Sequence, residues 1–144
     1  MAEFLIVYAT RSRETQKIAD LIAEGIRISG HGATLKNANE IKSEEALKGF
    51  DGYVFGSATY HGEMISSMKQ LLFIAERAQL KDLPGGSFGA FGWSGEAPQR
   101  IFDTMANIYG MKMVGSPLML KASWLEGGMT MAQDYGKEIA KLVG

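Results

Sequence analysis

Apolar residues in this chain come in short blocks separated by polar, glycine-containing stretches. Phe4-Leu5-Ile6-Val7-Tyr8-Ala9 is an unbroken apolar run, the pattern of a strand covered on both faces. Ile18, Leu21, Ile22, Gly25 and Ile26 then recur at spacings of three and four, which marks one face of a helix. Gly30 and Gly32 follow as its stop signals. Residues 33–36 predict a second strand and residues 43–47 a short helix. Tyr53-Val54-Phe55-Gly56-Ser57 predicts a third strand, and Ile65, Met68, Leu71, Leu72 and Ala75 a helix behind it. Leu83-Pro84-Gly85-Gly86 reads as a turn that leads into a fourth strand over residues 87–91. Ile101, Met105 and Ile108 mark the next helix, and a fifth strand falls within residues 113–120. Ala132, Tyr135, Gly136, Ile139, Ala140 and Val143 line one face of the last helix.

Short apolar strands alternating with amphipathic helices predict an α/β fold with a parallel sheet. The expected arrangement is a doubly wound five-stranded sheet, order 2-1-3-4-5, with helices on both faces. The chain has 144 residues and no repeat or Pro-rich linker, so residues 1–144 are read as one domain. Ligands of such sheets bind beyond the carboxyl ends of the strands, where the winding reverses between strands one and three. The loops to inspect are therefore those after residues 9, 57 and 91.

Composition narrows the chemistry. There is no cysteine, which removes disulfides, thiolate metal sites, Fe–S clusters and a cysteine nucleophile together. Fifteen basic and sixteen acidic side chains give a formal charge of −1. No Lys/Arg cluster forms a nucleic-acid stripe. No segment has the length and apolarity of a membrane span. Met1-Ala2-Glu3 lacks the basic region of a signal peptide, so a cytoplasmic location is expected.

The first loop is Ala9-Thr10-Arg11-Ser12-Arg13-Glu14-Thr15. Three hydroxyls, Thr10, Ser12 and Thr15, stand where a helix begins. The free N–H groups and the macrodipole of that helix end favour an anion, and Arg11 and Arg13 add guanidinium groups suited to phosphate. Helix capping is the other use of such hydroxyls. The loop has neither the Gly-Lys-Ser/Thr of a P-loop nor the glycines of a dinucleotide fingerprint.

The second loop is Ser57-Ala58-Thr59-Tyr60-His61-Gly62. Tyr60 offers a flat face to a ring, and Gly62 a freer backbone. His61 is either a solvated loop histidine or a hydrogen-bond partner for a bound ring. The third loop includes Gly92-Trp93-Ser94-Gly95-Glu96. Its glycines let the backbone approach a ligand, and Trp93 stands just past the end of a strand. Trp124 suits packing or the rim of a partner surface. His31 lies in a surface turn, and the two histidines support no metal site.

The first loop resembles the flavodoxin signature Thr/Ser-x-Thr/Ser-Gly-Asn-Thr, which wraps the FMN phosphate. Thr10, Ser12 and Thr15 match its hydroxyl positions, with Arg13-Glu14 in place of Gly-Asn. The second loop is similar to the family's Thr-Trp-Gly, with Thr59 and Tyr60 in the first two positions and His61 as an extra residue before Gly62. The run at residues 92–97 resembles the flavodoxin domain of A-type flavodiiron proteins, where a tryptophan lies against the isoalloxazine. By this resemblance FMN is the cofactor, held by Thr10 to Thr15, by Ser57 to Gly62 and by Gly92 to Glu96. The resemblance implies no catalytic side chain, because the flavin does the redox chemistry.

The implied function is that of a one-electron carrier between a reductase and an acceptor, as a monomer or weak dimer. The alternative is an FMN-dependent oxidoreductase such as a quinone reductase or a protoporphyrinogen oxidase-like enzyme. No diiron module lies in these residues, so reduction of oxygen or nitric oxide is not expected of them alone. A receiver domain would need carboxylates for Mg²⁺ where Thr10 and Ser57 stand.

Overall fold

A computed structural model describes residues 1–10, 13–60, 63–90, 96–120 and 127–143. Its elements in chain order are β1 (Glu3–Ala9), α1 (Arg13–Ile28), β2 (Gly32–Asn37), β3 (Gly52–Ser57), β4 (Thr59–Tyr60), β5 (Glu63–Met64), α2 (Ser66–Glu76), β6 (Pro84–Ala90), α3 (Glu96–Asp103), β7 (Lys112–Met113), β8 (Leu118–Leu120) and α4 (Gly128–Ala140). The main sheet runs β2-β1-β3-β6, and its last position is shared by β7 and β8, each parallel to β6. This is the predicted 2-1-3-4-5 order. β4 and β5 form a separate antiparallel hairpin.

The interiors of β1 and β3 are apolar because both of their faces are covered. Leu5, Val7, Tyr53 and Phe55 face a core completed by Met68 and Leu71 of α2 and Ile101 of α3. Phe4, Ile6, Val54 and Phe88 face the opposite core with Ile18 and Ile22 of α1 and Ile139 of α4. On that second face α1 and α4 meet backbone to backbone. A Cβ on Gly25 would lie 2.0 Å from the Gln133 carbonyl oxygen, and one on Gly136 would lie 2.1 Å from that of Ile22. Both glycines are there for space.

Three elements depart from the sequence expectation. The stretch read as a turn at residues 83–86 is the start of β6, with Pro84 as its first residue, a position where a strand tolerates proline. The glycines serve packing, since a Cβ on Gly85 would lie 2.9 Å from the Met113 sulfur and one on Gly86 would lie 2.8 Å from Ile139 Cδ1. Ile108 does not share a buried face with Ile101 and Met105. After Asp103 the helix widens into a π-turn over Thr104–Ile108, and the extra residue in that turn leaves Ile108 63% exposed. Tyr109 turns inward instead, and its hydroxyl donates to the Leu72 carbonyl.

The fifth strand is split. Its register against β6 slips by two residues between the Gly85↔Met113 pair and the Phe88↔Leu118 pair, and Pro117 in the gap has no N–H to offer. The Tyr135 hydroxyl fills the break. It accepts the Ser87 N–H at 3.2 Å and donates to the Ser116 carbonyl at 2.7 Å. Burial pushes this phenol well above its ordinary pKa. No helix among the described residues is long and apolar enough to cross a membrane.

Candidate functional site

The winding reverses between β1 and β3, which run in register up to Ala9↔Ser57. The Ala58 N–H continues this pairing by donating to the Ala9 carbonyl at 3.3 Å. The two strands therefore release their loops side by side, and α1 starts directly above them on one face of the sheet.

Thr15 is the third residue of α1 and is fully buried. Its Oγ1 has no hydrogen-bond partner, so it lacks even the bond to a preceding carbonyl that helical threonines commonly make. A hydroxyl buried without a partner costs about 1–3 kcal/mol. Among the described residues it is the one buried side-chain oxygen or nitrogen left without a partner. It lies within the first turn of a 16-residue helix, where free N–H groups favour an anion. The seat therefore suits a phosphate that accepts from Thr15. Arg13 is exposed at the helix start and Glu14 is half-buried beside it. Thr10 is half-buried at the end of β1.

The second loop uses its hydroxyls differently. Ser57 is fully buried, accepts the Ile65 N–H at 3.1 Å and donates to the Ala58 carbonyl at 2.9 Å. Ala58 is buried beside it. Thr59 Oγ1 accepts the Ala97 N–H at 3.1 Å, so it caps α3 from the neighbouring loop. Tyr60 pairs with Glu63 in the hairpin. Glu96 is exposed in the first turn of α3. Arg11, Ser12, His61, Gly62, Gly92, Trp93, Ser94, Gly95 and Trp124 lie outside the described residues.

The mount of the third loop was not visible in the sequence. The Ser87 hydroxyl, fully buried in β6, donates to the Pro98 carbonyl at 2.8 Å. A Cβ on Gly89 would lie 2.3 Å from the Ser57 carbonyl oxygen and 2.7 Å from Pro98 Cγ. α3 thus lands on the sheet where β6 has no side chain, and its start is fixed next to β3. Glu63 of β5 is bonded by Arg100 of α3 and by Lys69 of α2. No spacing rule connects these three residues, since the fold alone brings them together. Among the described residues no group of His, Asp or Glu is placed to hold a metal ion.

A family model described as a flavodoxin domain matches residues 5–113, which covers all three strands and helices around this site. The chain belongs to the flavodoxin family. It is 28% identical to the flavodoxin of Clostridium beijerinckii over 138 residues, covering 95% of this chain and 99% of that one. It is 27% identical over 143 residues to the anaerobic nitric oxide reductase flavorubredoxin of Aliivibrio salmonicida, covering 94% of this chain and 28% of that protein. The chain therefore spans between a quarter and a third of the flavorubredoxin length. Among solved structures, a flavodoxin from the domain Archaea superposes with a TM-score of 0.91 at 24% identity, over 99% of both chains. The flavodoxin assignment agrees with the sheet order.

Proposed function

We propose that this chain binds FMN and carries electrons between redox partner proteins, a reductase and an acceptor. The unpartnered, fully buried Thr15 hydroxyl in the first turn of α1 is the observation that carries this reading. It supplies a donor where the helix end already favours a dianion. In this reading Thr10, Arg11, Ser12, Arg13, Glu14 and Thr15 form the phosphate seat. Ser57, Ala58, Thr59, Tyr60, His61 and Gly62 border one side of the ring. Gly92, Trp93, Ser94, Gly95 and Glu96 border the other, with Trp93 as the aromatic face. The bound flavin accepts and releases the electrons. The protein's part is to bind it, orient it and keep water from one face.

Family membership and the short, stapled second loop favour a carrier over an enzyme with its own substrate pocket. The test has two stages. Titration of the purified chain with FMN is expected to quench flavin fluorescence with one equivalent bound, and a chain that refuses FMN defeats the reading. The loaded protein is then mixed with NAD(P)H and quinones. Slow turnover that becomes fast only when a flavodoxin reductase is added is expected. Rapid turnover without a reductase overturns the carrier role in favour of a quinone-reducing enzyme.

A further inference from the structure

The β4–β5 hairpin has two residues per strand, far too few to be stable alone, so its position is set by what it is tied to. Its entry is tied by Thr59 Oγ1, which accepts from Ala97 of α3. Its exit is tied by the Ile65 N–H, which donates to the buried Ser57 hydroxyl. Between them, Glu63 uses both carboxylate oxygens, one for Arg100 of α3 and the other for Lys69 of α2 at 2.6 Å. Two of these ties reach α3, which is itself pinned to β6 through Ser87 and Pro98. The hairpin is thus referenced to the sheet directly through Ser57 of β3 and again through α3, and Glu63 is the part that joins it to both helices of that face.

We infer that Glu63, clamped by Arg100 and Lys69, is a positioning residue that holds the hairpin at one height beside the flavin. This rests on the FMN reading above. A hairpin held in one geometry matches one redox state of the ring better than the other, because oxidation and reduction change the ring's charge and its hydrogen-bonding edge. Loosening it weakens the two states unequally. The side chains of Glu63 and Arg100 are 45% and 53% exposed, so solvent and salt screen the clamp. An exposed pair of this kind is worth at most about 1 kcal/mol, which sets the effect at about two- to fivefold in a binding ratio.

The test compares R100M, E63Q, R100K and the double variant R100M/E63Q in the full chain loaded with FMN. Fluorescence quenching gives the dissociation constant of oxidised FMN. A spectroelectrochemical titration then gives the ratio of affinities for reduced and oxidised flavin. R100M removes a positive charge and E63Q a negative one, so a direct field effect moves the ratio in opposite directions. Positioning moves it in the same direction in both. The expected result is a same-sign shift of about two- to fivefold in R100M and E63Q. The double variant is expected to go no further than either single one, and R100K to stay near wild type. Opposite signs, additive shifts or an unmoved ratio overturn the inference. A wild-type chain that binds no FMN defeats the functional reading and this inference with it. Tight FMN binding with an unmoved ratio defeats this inference alone.

Discussion

The first turn of α1 and the α3–hairpin side of the site treat their hydroxyls in opposite ways. On the α3 side Ser57, Thr59 and Ser87 each hold a backbone group of another segment. In α1 the Thr15 hydroxyl is as fully buried as those of Ser57 and Ser87 and holds nothing. The contrast separates groups that build the site from one that the proposed function assigns to what enters it. A hydroxyl used internally stabilises the empty protein. One left unpaired destabilises it until a ligand accepts its hydrogen bond.

The strongest way to break this comparison is Thr15→Val, which keeps the shape and removes the hydroxyl. FMN affinity is expected to fall by about ten- to a hundredfold, the worth of a hydrogen bond to a charged group. The FMN-free protein is expected to melt at the same temperature or higher, since a buried unpaired polar group is gone. Loss of both affinity and apo stability would mean that Thr15 belongs with the builders.

Tyr135→Phe tests the other side. It strands the Ser87 N–H and the Ser116 carbonyl, so a urea titration should show about 1–3 kcal/mol of lost stability, with FMN affinity nearly unchanged. The same residue sharpens the comparison by pH. Burial raises the phenols of Tyr53, Tyr109 and Tyr135 above their ordinary value, and each donates to a backbone carbonyl. A phenol whose folded pKa is raised contributes fully below about pH 10, the unfolded value. Above that pH the unfolded chain releases its protons first and stability falls. Denaturation midpoints should therefore hold steady up to about pH 10 and drop beyond it, with a shallower drop in Tyr135→Phe. The smallest effect is expected for Thr59→Val, where loss of one cap on α3 costs about 1 kcal/mol in the same titration and FMN affinity falls less than in Thr15→Val.

Much of this architecture was readable in the residues. The apolar runs at β1 and β3 and the three-four spacing of α1 and α4 admit little else, because each element is patterned by its own burial. The misreadings share a cause, in that the deciding atoms come from distant segments. Pro84-Gly85-Gly86 looks like a turn until Met113 and Ile139 are seen to crowd it. Ile108 keeps helical spacing with Met105 in the sequence, yet the π-turn carries it outward. The break in the fifth strand is tolerable only because Tyr135 reaches into it from α4. At the site, the cluster of Thr10, Ser12 and Thr15 pointed to an anion seat. Nothing in the sequence distinguished the working hydroxyl of Ser57 from the idle one of Thr15, because that depends on how closely Ile65 and Ala58 approach.

The contact between α1 and α4 acts as a fulcrum. Gly25 lies ten residues along α1 from Thr15, about 15 Å at the rise of a helix. The backbone of α4 presses on it so closely that one methyl group has no room. α1 is then a lever with Thr15, the proposed phosphate donor, near its N-terminal end. An alanine at position 25 is expected to act as a shim that tilts the rod and moves Thr15 with it. With the phosphate seat proposed at Thr15, Gly25→Ala is expected to weaken FMN binding from a position outside the three loops, which a fluorescence titration of that variant checks.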